Sequence, residues 1–389
     1  MSDAPDHRRL LVLVSIVVFV DTMLYAVLAP LLPGLVHNLH LSKSSAGLMT
    51  ASYPLGTLLG SLPGGVLAAR AGPRAAVCTG LSLLMGSTIA FGLLDHPLAL
   101  DVARFIEGIG GACSWAGGLA WIVAAAPADR RGLLMGQALG AAIAGALLGP
   151  VIGSAATVLG RPVSFCALAA GVGVLLLWAS RFPSTHQPTG QGLDALFAAV
   201  KRPDMSWAMW LVALPAIISG LINVLGPLRL HRAGVAAAGI GAAYLIAAAI
   251  EASLAPLVGR LSDRYGRIVP VQAGLIAAPV VLLCFTWPDE ALLIALIIVL
   301  LAAALGLFWA PAMAMMSDIA DAVGLDQGLA AALMNLAWAG GQIVGSAGGG
   351  VLAKASGDGL PAALGAGLCL LSLLAMRIMP AARLSSART

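Results

Sequence analysis

The chain has 389 residues, 60% of them hydrophobic and only 10% charged, where a soluble domain carries about 25% charged residues. With a mean hydropathy of +0.98 it has too little polar surface to cover a water-soluble globule, which excludes a cytosolic enzyme and a disordered chain. Its 21 basic residues are dispersed singly or in pairs, which excludes a nucleic-acid binder despite a pI near 9.0.

A membrane-spanning helix needs roughly 20 apolar residues. Runs of that kind fall at 9–33, 45–69, 75–94, 98–124, 133–158, 162–180, 206–230, 235–258, 268–287, 291–315, 328–352 and 360–380. They are continuous rather than alternating, so twelve helices are expected and not a β-barrel. The first run follows Arg8 and Arg9, is too long for a signal-peptide core and has no small-residue cleavage site after it. It reads as a retained span. Residues 181–205, between the sixth and seventh runs, are polar and rich in Pro, Gly and Gln, with an amphipathic piece at Leu193–Lys201 suited to a membrane surface. The expected architecture is an all-α membrane protein with 12 transmembrane helices. Residues 1–180 form one six-helix bundle, 181–205 a cytoplasmic linker and 206–389 a second six-helix bundle.

Basic residues set the orientation. With the N-terminus in the cytoplasm, fifteen of them fall on the cytoplasmic side, including Arg8, Arg9, Arg70, Arg74, Arg130 and Arg131, and also Arg383 and Arg388 near the C-terminus. Only Lys43, Arg161, Arg229, Arg232 and Lys354 fall opposite. Both termini are therefore expected inside, in a multi-pass protein of the cytoplasmic membrane. One local exception is an acidic loop with Asp318, Asp321 and Asp326 and no basic residue. The five cysteines lie one per apolar segment at no metal-ligand or disulfide spacing and read as small buried side chains.

The two halves share a loop signature. Gly65-Val-Leu-Ala-Ala69-Arg70-Ala-Gly72-Pro-Arg74 joins the second and third runs, and Gly259-Arg-Leu-Ser-Asp263-Arg264-Tyr-Gly266-Arg267 joins the eighth and ninth. A six-plus-six repeat marked by this turn resembles the major facilitator superfamily of secondary transporters, over essentially the whole chain. Three further motifs resemble the twelve-helix drug:proton antiporters of that superfamily, a branch that includes the vesicular amine transporters. They are Gly140, Gly145, Gly149-Pro150 and Gly153 in span five, Arg104-Phe-Ile-Glu107-Gly108-Ile-Gly110 in span four, and Asp21 to Pro33 in span one. The chain departs from the pattern at Ala69, where the family has an Asp that locks the cytoplasmic gate. It departs again at Asn335, where the amine transporters have Asp.

Charges within the membrane are costly, about 2.5–3.5 kcal/mol each at the helix centre on an insertion scale, and four lie inside spans: Asp21 near mid-depth, Glu107 near the centre, Arg104 in the outer half and Glu251 in the cytoplasmic half. The resemblance implies proton coupling at Asp21, Glu107 and Arg104, the last two one turn apart and able to pair. The alternative is a self-neutralising structural pair. An amphipathic substrate pocket is expected from Tyr25, Trp115, Asn223, Glu251, Asn335, Trp338 and Gln342, whose aromatic faces can hold an organic cation; packing alone also accounts for the tryptophans. Arg70, Gly72, Asp263, Arg264 and Gly266 are expected at the gating turns. Gly145, Gly149 and Pro150 are expected to let span five slide against a partner in the other half. No glycine loop for a nucleotide and no His/Asp/Cys cluster appears, so no enzyme, cofactor or metal is expected, and the driving force is a proton gradient.

The expected function is proton-coupled efflux of small amphipathic, cationic or neutral compounds by a monomer in a lipid bilayer, with no nucleic-acid partner. An uptake symporter or uniporter on the same fold is the first alternative. A non-transporting membrane sensor is the second.

Overall fold

A computed structural model describes residues 7–125, 131–183, 193–325 and 327–378. Arg130, Asp326, Arg383, Arg388 and the middle of the expected linker, 184–192, lie outside the described residues. Within them the chain is helical: α1 His7–Ala26, α2 Leu28–Asn38, α3 Lys43–Ala71, α4 Pro73–Leu93, α5 Pro97–Ala125, α6 Arg131–Leu159 and α7 Arg161–Ser180. The short α8, Leu193–Val200, follows. Then come α9 Pro203–Arg232, α10 Ala237–Tyr265, α11 Ile268–Cys284, α12 Ala291–Ala322, α13 Gln327–Ile343, α14 Gly349–Ser356 and α15 Gly359–Ile378. Two spans are interrupted, so the described helices make up the twelve spans and one surface helix.

Both interruptions have local causes. Span one breaks at Val27 into α1 and α2, because Pro30 and Pro33 lack the N–H groups that would bond back to the carbonyls of Ala26 and Ala29. Span eleven passes through a π turn at Val344–Gly348 between α13 and α14, in a stretch holding Gly345, Gly348, Gly349 and Gly350. Elsewhere helix ends lie close to those of the apolar windows, except that α10 and α12 run about two turns past theirs. The expected acidic loop is part of this: Asp318 and Asp321 are helical in α12. Asp318 accepts a hydrogen bond from Arg267 Nε at 3.2 Å, so it does have a basic partner, on the α10–α11 turn.

The described chain divides into two compact units, Met1–Leu39 with Ser52–Gly190 and His40–Ala51 with Gln191–Thr389. The first turns of α3 thus group with the second unit. In the first unit a core of Leu13, Val17, Leu24, Leu81, Leu84, Trp121 and Val172 ties α1, α4, α5 and α7 together. In the second, Gly341 and Gly345 of α13 and its π turn bring that span against the α9 backbone at Ala213 and Ile217. Gly274 of α11 admits Phe308 of α12. Of the cysteines, Cys113 and Cys369 are buried, while Cys166 is exposed on α7, on a face that the expected all-buried reading missed.

The internal repeat is visible in backbone angles and in loop clips. Gly72 sits between α3 and α4 at φ 93°, ψ 159°, and Gly266 between α10 and α11 at φ 88°, ψ 157°. This region favours glycine, which explains why both turns keep it. At the other helix ends, Arg161 stacks over Phe91 at 5.9 Å and donates to Leu94 O at 2.6 Å and to the Asp95 carboxylate. Arg229 stacks over Phe285 at 5.3 Å and donates to Pro288 O at 2.7 Å, with Asp289 4.0 Å away. Each unit thus pins the loop after its third span with one arginine.

Asp358, in the turn between α14 and α15, gathers the other charges at its end of the second unit. It accepts from Lys43 Nζ at 2.6 Å and Arg232 Nη2 at 2.7 Å. Burial alone would push its carboxyl up, but these two cations hold it below the ordinary value of 3.8. A folded-state pKa below the unfolded one stabilises the fold above pH ~4, and that contribution is lost as pH falls through the folded value. Asp358→Asn is expected to lower Tm in detergent at pH 7 by the equivalent of about 2 kcal/mol, the scale of hydrogen bonds to a charged group. The gap to wild type should close as the scan is repeated toward pH 3.

Candidate functional site

The site in the first unit is built on α1, α3 and α5. Asp21 lies 13 residues after Arg8, about 20 Å along the helix, in a span that runs Arg8–Asn38. It is 2% exposed. Oδ1 accepts from Tyr53 Oη at 2.8 Å and Oδ2 from Trp115 Nε1 at 2.8 Å. The carboxyl fits because position 111 is glycine: a Cβ there would stand 2.7 Å from Tyr53 Oη and 3.0 Å from Asp21 Cγ.

Arg104 is one turn from Glu107 on α5, and the expected pair forms at 2.8 Å with both residues buried. The same guanidinium donates to Leu24 O at 3.0 Å and Tyr25 O at 3.2 Å, carbonyls in the last turn of α1 before the break. It therefore caps a broken helix, placing a cation where the dipole is negative. Its Cζ is 5.1 Å from the centroid of the Tyr53 ring, and Tyr25 packs on Tyr53 with centroids 5.0 Å apart. Asp21, Tyr25, Arg104, Glu107 and Trp115 are thus brought together.

Two residues in this unit escaped sequence reasoning. Tyr53 sits in an apolar run, where a tyrosine reads as an interfacial anchor, and only the fold turns its hydroxyl onto Asp21. Asp101, near the start of α5, read as interfacial. Its Oδ1 is buried without a hydrogen-bond partner, one turn before Arg104.

The remaining pocket candidates belong to the second unit. Gln342 is 3% exposed and donates from Nε2 to Ser219 Oγ at 2.9 Å, joining α13 to α9. Asn223 on α9 and Asn335 and Trp338 on α13 are half-buried. Glu251, half-buried on α10, lies beside Gly306 of α12, where a Cβ would be 3.2 Å from its Cγ. Among the described residues it enters no hydrogen bond or ion pair.

The gating candidates separate. Arg70 is exposed at the end of α3. Asp263 pairs with Arg267 at 3.3 Å, and Arg264 lies over the Tyr265 ring at 5.3 Å. The glycine run in α6 packs within its own unit, on the first span. A Cβ at Gly145 would meet Phe19 and Met23, at Gly149 Met23 O and Ala26, and at Gly153 Val27 and Pro30, all on α1 and α2 of the same unit. Spacing identifies a small-residue face but not what packs on it. Gly140 has nothing within 4 Å. Gly145→Ala is therefore expected to lower Tm by the equivalent of about 1–3 kcal/mol, the cost of overpacking, while Gly140→Ala leaves it unchanged or slightly raised.

No group of three or more His, Cys, Asp or Glu residues that could hold a metal occurs among the described residues. Comparison with known proteins fits a transporter. The model of the Major Facilitator Superfamily matches residues 14–324 and 232–388. A chloramphenicol resistance protein of Streptomyces lividans is 30% identical over 278 residues, covering 68% of this chain and 68% of that protein. The synaptic vesicular amine transporter of Homo sapiens is 28% identical over 251 residues, 61% of this chain. That match spans 47% of the human protein, just under half its length. Among solved structures, a bacterial homologue of the human lysosomal transporter Spinster, inward-facing and unoccupied, aligns with a TM-score of 0.74 at 16% identity. It covers 100% of this chain and 98% of that one, a likeness of fold. With the family model matching nearly its whole length, the chain belongs to the Major Facilitator Superfamily.

Proposed function

We propose that this protein exports small amphipathic, cationic or neutral organic compounds across the cytoplasmic membrane in exchange for protons, by alternating access, with both termini in the cytoplasm. The observation that carries this reading is charge imbalance in the first unit. Asp21 and Glu107 are buried with one guanidinium beside them, so two ionised carboxylates leave one uncompensated negative charge. In a low-dielectric interior such a charge is costly. A proton removes it, and so does a bound cation. The two are alternatives at one site, which is the requirement for exchange. Coupled acids titrate together, so the proton belongs to the set of Asp21 and Glu107.

Glu251, which enters no hydrogen bond or ion pair among the described residues, supplies a carboxyl in the second unit suited to attracting a cation; in the first unit Tyr25 and Trp115, and in the second Trp338, supply aromatic faces. The chain's relatives, one a chloramphenicol resistance protein and one an amine transporter, fit small organic substrates. The test is purified protein in vesicles with an imposed proton gradient and a panel of neutral and cationic drugs. Flux that follows the gradient and reverses with it supports the reading. Flux indifferent to the gradient points to a uniporter and overturns it.

A further inference from the structure

Asp101 stands outside the chemistry proposed above, yet it lies one turn before Arg104 on α5, at the outer end of that span in the proposed orientation. It is half-buried, and its Oδ1 is buried with no hydrogen-bond partner among the described residues. Arg104 is 1% exposed. Its Nη1 and Nη2 are engaged by Glu107 and by the carbonyls of Leu24 and Tyr25, but its Nε is likewise buried without a partner. A donor and an acceptor are thus orphaned within one turn of each other. Buried polar atoms in that condition are costly and uncommon.

Helix geometry supplies a reason for them. Asp101, Arg104 and Glu107 stand at i−3, i and i+3, so the guanidinium lies between two carboxyls, each within its reach. In this conformation it holds Glu107 at 2.8 Å. A proton on Glu107 would leave a buried guanidinium without its anion. Asp21 is committed elsewhere, since Tyr53 and Trp115 take its two oxygens. Asp101 is the carboxyl on the other side. It precedes Phe105 by four residues and Gly108 by seven, which keeps it on one face of α5, and these two lie against Gly56 and Tyr53 of α3. Asp101 therefore sits at the outer end of the α3–α5 seam that leads down to Tyr53 and Asp21. The other titratable groups nearby are Tyr25, the exposed His96 ahead of α5 and Arg161. Arg161 approaches Phe91 at 5.9 Å, the ring that Arg104 approaches at 6.0 Å, and is engaged by Asp95.

We propose that Asp101 is the outer proton donor to Glu107, and that Arg104 changes partner from Glu107 to Asp101 as the proton moves inward. The inference rests on the proton-exchange reading above. In this step an O–H bond of the Asp101 carboxyl breaks, water carries the proton about 9 Å along the helix axis, and an O–H bond forms on Glu107. Arg104 moves to the carboxylate left behind. Asp101, Arg104 and Glu107 sum to zero charge before and after, so the transfer creates no net charge in the membrane. External water then returns a proton to the half-buried Asp101.

Thermal unfolding of the full-length protein in micelles at neutral pH tests the change of partner without any substrate. Asp101→Asn alone should leave Tm nearly unchanged, since Arg104 keeps Glu107. In the Glu107→Gln background the same substitution should lower Tm by about 5 °C, because Arg104 then relies on Asp101. Asp101→Glu in that background should avoid most of the loss. In vesicles, with ethidium and chloramphenicol as probes, gradient-driven export by wild type should rise as the outside is acidified, and Asp101→Asn should flatten that profile. Equal effects of Asp101→Asn on Tm in both backgrounds overturn the inference, as does an unaltered pH profile of export. Wild-type export that ignores the gradient, with the Tm coupling present, overturns the exchange reading and the donor role with it, and leaves Asp101 only as a second ion-pair partner.

Discussion

Asp21→Asn is expected to abolish gradient-driven export, bringing substrate accumulation in vesicles down at least tenfold to the passive level, while substrate-for-substrate exchange continues. The substitution leaves the shape of the side chain and removes its charge. With a neutral amide at this position, Arg104 and Glu107 balance one another without a proton, so the imbalance that couples the two fluxes is gone. The hydrogen bonds also change in a predictable way. Asp21 accepts from two donors, Tyr53 Oη and Trp115 Nε1, whereas an amide has one acceptor oxygen and must turn its NH2 toward the other donor. One donor is left unsatisfied, at a cost of about 1–3 kcal/mol, partly offset by removing a buried charge. The variant should therefore fold, with Tm a few degrees lower. Undiminished gradient-driven export by Asp21→Asn would take this residue out of the mechanism.

Much of this arrangement is legible in the sequence. Charge is so scarce that sorting it by depth isolates Asp21, Arg104 and Glu107, and a spacing of three on a helix predicts the pairing of the last two. What sequence could not supply was the second partner of each group. Tyr53 and Gly111 matter because α3 and α5 meet α1 at one level, a tertiary fact with no local signature. Sequence offers Arg104 as a proton-coupling residue or as half of a self-neutralising pair, and its three hydrogen bonds close that pair and also cap a broken helix. The break itself was within reach, since Pro30 and Pro33 stand in the run; a continuous apolar window hid it. For the glycines of α6, composition reveals a close approach and is silent on the partner, because every apolar span offers a similar surface; that Gly145, Gly149 and Gly153 pack on α1 and α2 is a tertiary fact.

The dual role of Arg104 makes its pair with Glu107 the place of largest expected stability effects. Arg104→Met leaves Glu107 buried beside no cation and strips the donors from Leu24 O and Tyr25 O. Breaking a buried pair from one side costs about 3–5 kcal/mol, so a sharp fall in folded yield and Tm is expected. Glu107→Leu leaves Arg104 with its carbonyl partners and with Asp21 in the same layer, and should cost less. Removing both, Arg104→Met with Glu107→Leu, eliminates the unpaired charge and is often close to neutral for a buried pair. Here recovery should stop short by about 1–3 kcal/mol, because the two carbonyls still lack their donor. Full recovery in the double variant would show that the helix cap contributes nothing. Additive losses would show that the two side chains are not energetically coupled. Glu107→Gln separates stability from transport. It keeps an acceptor for Arg104 Nη1 and removes the second acid, so Asp21 and Arg104 balance without a proton. That variant should retain Tm within a few degrees and lose most of the pH dependence of export.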